Sequence, residues 1–367
     1  MADDRQDGPG GDDRGGRAVG PAGGARPGRG GRASVRTAIL VLAVVFAGRP
    51  AATAAEPDTV LGITGTSFTL NGKKTFIVGI SYYAGLGATD DRIRADLDSF
   101  REAGFNWLRV WVTWAGFGND VSAVGADGRP REPYLKTLRF LVAEADRRGL
   151  VVDVTLSRGD GKNDSPHLPT MAAHRRAVET VTAALKGRRN WYLDLANERN
   201  IGDARHVPVD ELKALRAVAR KIDPHVPVTA SAGGDMSRDD VRESLTTVGL
   251  DFLTPHRPRG ADSPKQTEAK TREYLKWAAD LGRPVPVHYQ EPFRRGYGRF
   301  DPTVDDFLTD LKGARAGGAA GWCLHNGSQR TGADGRPRRS FDLRGEGKLL
   351  DRLDAVEREV VRRLAGS

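Results

Sequence analysis

The feature that most constrains this chain is an alternation. Short apolar segments with β-forming residues recur at 76–82, 107–112, 150–156, 191–196, 226–230, 250–254, 285–289 and 319–324. Between them lie stretches with helical amphipathic spacing, at 91–103, 133–148, 171–186, 210–222, 239–247, 267–281 and 304–316. A last helix is expected from about 348 to 364. Strands separated by helices pair in parallel, because each crossover returns the chain to the same edge of the sheet. Two architectures satisfy this, a doubly wound sheet and a closed barrel. The count of eight, the length, and the lack of a GxGxxG after the first strand favour the second. The expected fold is thus α/β, a single (β/α)8 TIM barrel. Ahead of it, 67–70 and 73–78 flank Asn71-Gly72, a pair suited to a tight turn with positive φ, and read as an N-terminal β-hairpin.

The alternation occupies only part of the chain. Residues 1–36 hold 11 of the 45 glycines and almost no large apolar side chain, the composition of a disordered tail. Residues 37–55 read as the hydrophobic and cleavage region of a signal peptide. Arg29, Arg32 and Arg36 precede an eleven-residue apolar run, and small residues follow it. That run is too short for an ordinary membrane span. The expected product is a secreted catalytic domain, 56–367, with no stable membrane association after cleavage, acting as a monomer. Cys323 is the sole cysteine, so no internal disulfide forms and the fold rests on its core. The net charge is +9, and +6 without residues 1–55. With no Lys/Arg run or basic-aromatic interleaving, nucleic acid is a poor candidate partner.

In a barrel, chemistry sits at the C-terminal ends of the strands. Two glutamates lie there: Glu198 after the fourth strand and Glu291 after the seventh. These strands face each other across the barrel mouth. Glycosidic cleavage needs such a pair, one carboxylic acid to protonate the leaving oxygen and one carboxylate to attack the anomeric carbon.

Residues 67–325 resemble the clan A retaining glycoside hydrolases, close to the cellulase and mannanase type of family five. The resemblance is carried by Phe68-Thr69-Leu70-Asn71-Gly72-Lys73, Ile80-Ser81-Tyr82-Tyr83, Phe105-Asn106-Trp107-Leu108-Arg109-Val110-Trp111, Leu193-Asp194-Leu195-Ala196-Asn197-Glu198, Glu291 and Gly321-Trp322. It implies Glu198 as general acid/base and Glu291 as nucleophile. It also implies Asn197 on the sugar 2-hydroxyl, Arg109 holding the nucleophile ionised, and His256 and Tyr289 on the glutamates or the sugar. Trp322 would floor the first subsite. No metal or other cofactor is implied. Trp114 and one of Tyr82 and Tyr83 are further candidates for sugar contact, with Tyr82 taken as the first choice. His288 and Cys323 are expected to be structural, facing away from their neighbours Tyr289 and Trp322.

Some positions depart from the pattern. Arg199 follows the acid/base where proline is usual, Glu291 sits in Gln290-Glu291-Pro292, and the third strand ends Leu156-Ser157-Arg158 where histidine is common. These leave the sugar and linkage open. Two other functions fit parts of the sequence: a glycan-binding pseudoenzyme, and a metal-dependent barrel hydrolase using His256, His288 and His325. The expected partner is a carbohydrate. Arg158, Arg199, Arg257, Arg259, Arg294 and Arg295 lie past strand ends, which suggests an anionic one.

Overall fold

In the computed structural model the described residues are 59–116, 119–157, 168–202, 206–296, 299–327, 341, 343 and 346–365. The expected tail and signal segment, 1–36 and 37–55, lie outside them, as does Arg158. Among the described residues no helix is long and apolar enough to cross a membrane.

The chain opens with a small antiparallel sheet of β1 (Leu61–Thr64), β2 (Ser67–Leu70) and β3 (Lys73–Lys74). Asn71 and Gly72 have φ of 50° and 79°, the pair of left-handed residues that closes a two-residue hairpin. The strand β1 was not evident in the sequence. It is four residues long, and its burial shows no clean alternation.

Seven parallel strands form the main sheet: β4 (Ile77–Tyr82), β5 (Trp107–Trp111), β8 (Val151–Thr155), β9 (Trp191–Asp194), β10 (Val228–Thr229), β11 (His288–Tyr289) and β12 (Gly321–Leu324). A two-stranded excursion, β6 (Ala115–Gly116) and β7 (Asn119–Asp120), stands apart. The eighth position is filled by residues 250–254. The Leu253 N–H donates to Pro286 O at 3.0 Å and Leu253 O accepts from His288 N–H at 2.9 Å. On the other side the Asp251 N–H reaches Val228 O at 3.0 Å and the Ala232 N–H reaches Thr254 O at 3.1 Å. The ring is therefore closed, as expected for a (β/α)8 barrel.

The outer layer contains α1 (Asp90–Glu102), α2 (Tyr134–Asp146), α3 (Met171–Leu185), α4 (Val209–Ile222), α5 (Arg238–Arg242), α6 (Ser263–Asp280), α7 (Val304–Gly317) and α8 (Ala355–Ala365). Side-chain oxygens of Thr89, Thr170, Ser237 and Thr303 cap four of them, satisfying N–H groups that have no partner within the helix. The last helix starts at 355 rather than near 348. Asp354 and Glu357 form a reciprocal box, each carboxylate accepting the other's backbone N–H at 2.9 and 3.0 Å, and this fixes the start.

The barrel interior is built in layers. At its floor, Phe68 from β2 packs against Phe252 with ring centroids 5.1 Å apart, beside Trp107, Tyr192 and His288. These rings plug the N-terminal end. Room for them comes from missing side chains: a Cβ on Gly321 would lie 2.4 Å from His288 Nδ1. Burial drives the His288 pKa down to about 3, so the ring is neutral. The next layer is polar, with Arg109, Asp153, Asp194 and Gln290. It supports the mouth.

Candidate active site

Arg109 enters the barrel from the middle of β5 and is fully buried. Its Nη1 donates to Glu291 Oε1. Its Nη2 donates to Asp194 Oδ2 at 3.1 Å and to Asn197 Oδ1 at 3.0 Å. Its Nε donates to Thr155 Oγ1 at 2.9 Å and lies 3.1 Å from Asp153 Oδ2. One guanidinium thus serves three buried carboxylates. The excess negative charge is relieved at Asp153, where burial, opposed by Arg109 and reinforced by Asp194, pushes the pKa up to about 7. Because a guanidinium only donates, the contact with Asn197 assigns Oδ1 to Arg109 and leaves the Asn197 amide nitrogen as its donor.

Glu291 follows β11 and is almost completely buried. Burial alone would raise its pKa. The neighbouring His325, His256, Arg109 and Arg259 outweigh that and hold it well below the ordinary carboxylate value. Burial keeps His325 itself neutral, so the two guanidiniums, which stay charged, supply the permanent part of the effect. His325 Nε2 receives Arg294 Nη1 at 3.1 Å and the Tyr83 hydroxyl. The Nε2 is therefore an acceptor, and the ring proton sits on Nδ1.

Glu198 lies past β9, where the backbone turns out of the strand. Its φ is 48°, an uncommon conformation for a residue with a side chain. Its N–H donates to Ser231 Oγ at 3.0 Å. The turn aims the carboxylate at the mouth, where Oε1 meets His256 Nδ1 at 3.2 Å. The other His256 nitrogen faces Gln290 Oε1 at 3.4 Å. Glu198, His256 and Glu291 converge so closely that one oxygen of each carboxylate and a ring nitrogen of His256 all lie within 4.8 Å of one another. Side-chain exposure divides the pair, 15% for Glu198 and 5% for Glu291.

Three expected substrate contacts face elsewhere. The Tyr82 hydroxyl donates to Asp96 Oδ2 of α1 at 2.8 Å. The Tyr289 hydroxyl meets Thr271 Oγ1 of α6 at 2.6 Å. Trp322 Nε1 donates to Asp310 Oδ2 of α7 at 2.6 Å. All three rings are fully buried in the helix layer. Cys323, expected there, is instead inside the barrel, 3.7 Å from Ser81 Oγ.

The cause is strand parity. The resemblance places Tyr289 at the mouth together with Glu291, two residues on, but the chain leaves extended pairing after Tyr289. Past that point Gln290 and Glu291 both face the site. Gln290 Nε2 donates to Asp153 Oδ2 at 2.7 Å, beside the Arg109 that holds Glu291. His288 is structural as expected, though it lies inside the barrel rather than outside. On β12 the inward positions are Cys323 and His325.

Tyr83, the alternative to Tyr82, lies at the mouth in an aromatic group with Trp111, Trp114 and Phe341. Trp114 stacks on Phe341 with centroids 5.6 Å apart, and Trp111 covers the Arg109 guanidinium at 4.7 Å. Phe341 was not foreseen. It is distant in sequence from any strand end, and only the fold brings it there.

The reassignment of Trp322 has a direct test. Trp322→Phe removes the indole donor from buried Asp310, whose pKa burial already raises to about 6. The expected result is a stability loss of about 1–3 kcal/mol by denaturant unfolding, with kcat/KM near wild type. A subsite floor would give the reverse, a large kcat/KM loss with stability retained.

Among the described residues, Glu198, His256 and Glu291 are also the one group of His, Cys, Asp or Glu able to surround a metal ion. Their shared space already contains a cation. Arg259 Nη2 donates to Glu291 Oε2 at 2.8 Å and to Glu198 Oε1 at 3.3 Å. The histidine triad considered from the sequence does not assemble, because His288 lies at the barrel floor against Trp107 and Phe68.

No family model matches the sequence, and no characterised protein matches it by sequence. Solved structures do match in fold. A Bacteroides vulgatus protein described as a candidate glycoside hydrolase superposes with a TM-score of 0.62 at 16% identity, covering 85% of this chain and 61% of its own. This chain thus spans about three fifths of that protein's length. The endo-1,4-beta-mannanase of Rhizomucor miehei gives 0.58 at 14% identity, covering 84% and 100%. A GH5_18 protein of Streptomyces cattleya in complex with GlcNAc gives 0.58 at 18%, covering 82% and 81%. At these identities the shared property is the barrel fold.

Proposed function

We propose that this chain is a retaining glycoside hydrolase that cleaves O-glycosidic bonds of a poly- or oligosaccharide by double displacement with Glu198 and Glu291. The observation that carries the reading is the pairing of an ionised, Arg109-bound Glu291 with Glu198 across the barrel mouth, their nearest oxygens within 4.8 Å. Retaining enzymes need their carboxyl groups about 5–5.5 Å apart, whereas inverting ones need room for a water between. The short approach here favours retention. Neighbouring structures that are mannanases or hold GlcNAc support a glycan as the ligand class.

In this reading Glu291 attacks the anomeric carbon while Glu198 gives its proton to the leaving oxygen. Glu198 then takes a proton from the water that releases the glycosyl-enzyme. Asn197 offers its amide N–H to the sugar hydroxyl beside the reacting carbon. The apolar segment in 37–55 supports export, so the substrate would be met outside the cytoplasm.

The test is incubation with a panel of polysaccharides and aryl glycosides, with products identified by mass spectrometry. Release of shortened sugars from at least one class is expected. Binding to a glycan without any cleavage would replace this reading with that of a glycan-binding pseudoenzyme.

A further inference from the structure

The Arg259 guanidinium occupies the space between the two glutamates. Its Nη2 donates to both, at 2.8 Å to Glu291 and 3.3 Å to Glu198. In the function proposed above, on which this inference rests, that is where the anomeric carbon and the leaving oxygen must sit. Substrate and Arg259 cannot share it. Arg259 must therefore leave whenever a sugar binds productively.

Its surroundings show how it can move. Arg257, two residues earlier, is anchored. Its Nη1 is paired with Asp235, its Nη2 donates to Ser263 O at 3.2 Å, and its backbone is left-handed with φ of 44°. Arg259 lies beyond this anchor on the loop after the sixth barrel position, and its side chain is 16% exposed at the open side of the cleft. With the loop held at Arg257, rotation of the Arg259 side chain is the movement that would clear the site.

Leaving has an electrostatic cost. Arg259 gives up charge-assisted contacts with two carboxylates in a largely buried setting, where such contacts are strong. A neutral sugar hydroxyl offers no equivalent charge. A carboxylate or sulfate on the sugar does, and a guanidinium fork matches its geometry. Among the described residues, three other arginines near strand ends are committed to carboxylates: Arg199 to Asp240 and Glu243, Arg257 to Asp235, and Arg295 to Asp354 and Asp301. Arg294 adds positive charge on the opposite flank, next to His325 and over the Phe341 ring at 5.2 Å.

We infer that Arg259 is a specificity-determining latch: it seals the glutamate pair in the free protein and is drawn off by an acidic group on the sugar at the cleavage point. The substrate class is a glycan with uronic acid or sulfated residues. Neutral glycans bind against the closed latch and turn over slowly.

The experiment uses matched substrate pairs differing in the acid group: nitrophenyl glucoside and glucuronide, galactoside and galacturonide, galactan and homogalacturonan, mannan and mannuronan, and carrageenan before and after desulfation. Each is assayed with wild type, Arg259→Gln and Arg259→Lys. Wild type should favour the acidic member of its best pair by roughly ten- to a hundred-fold in kcat/KM, the range one charge-assisted contact supports. Arg259→Gln should lose that preference in both directions, slower on the acidic member and faster on the neutral one. Arg259→Lys should retain part of it. Wild type cleaving the neutral member equally well, or Arg259→Gln slowing both members alike, would overturn the latch and leave the hydrolase reading standing. Wild type cleaving no substrate on this panel or the wider polysaccharide panel would defeat both.

Discussion

Glu291→Gln is expected to lower kcat/KM on the order of 10⁴-fold or more, whatever the leaving group, because in the proposed mechanism it removes the atom that would form the covalent intermediate. Glu198→Gln should behave differently. Loss of general acid assistance costs on the order of 10²–10⁴-fold for a sugar leaving group, and much less for a dinitrophenolate that departs without a proton. Small-anion rescue separates the two further. In Glu291→Ala, azide would attack the sugar from the vacated side and give the product of inverted configuration. In Glu198→Ala it would intercept the glycosyl-enzyme and give the retained one. Equal losses across leaving groups for both variants, with no rescue, would contradict the division of roles. The assignment rests on the geometry: Glu291 is the deeper residue, ion-paired to Arg109, and Glu198 is the more exposed, next to His256.

The second large effect is at Arg109. Arg109→Met keeps much of the side-chain volume and removes the charge shared by Glu291, Asp194 and Asp153. Breaking a buried pair by removing one partner costs about 3–5 kcal/mol. The loss should depend on pH in a specific direction. In wild type the Glu291 pKa is lowered on folding, so its contribution is present above the unfolded carboxylate pKa and fades as pH falls. In the variant the same carboxylates lose their counter-charge and their folded pKa values rise, so the variant loses stability as pH rises. The difference between the two proteins is therefore largest near neutral pH and shrinks in acid. Urea unfolding between pH 4 and pH 8 measures it. A difference independent of pH would mean that Arg109 acts through packing alone. Activity should fall as well, since Glu291 loses one of the two guanidiniums that hold it ionised and the group that orients it.

Much of this architecture is legible in the sequence because hydrophobic periodicity is a local property. Each strand and helix alternates over its own residues, and the Asn71-Gly72 turn needs only two positions. The glutamates are legible for the same reason: they stand at the ends of strands that can be counted. What escaped is orientation. The resemblance places Trp322 and Tyr289 at the cleft, but a motif match does not fix which face of a strand a side chain takes, and alternation along a strand holds only while the backbone stays extended. It ends at Tyr289, and at Glu198 the chain turns through a left-handed residue. Tyr82 and Tyr83 are adjacent in sequence and opposite in orientation, and only the pairing register of β4 distinguishes them. Phe341 and the bridging position of Arg259 depend on loops with no periodic signal, so no local reading finds them.

The central claim is double displacement by Glu198 and Glu291, and the configuration of the first product tests it most directly. Proton NMR of a β-glycoside that the protein cleaves, followed from the first minutes of hydrolysis, distinguishes the anomers before mutarotation mixes them. Retention requires the β-anomer to appear first and the α-anomer to grow in only later. The α-anomer appearing first would mean a single displacement through water, incompatible with two carboxylates this close together.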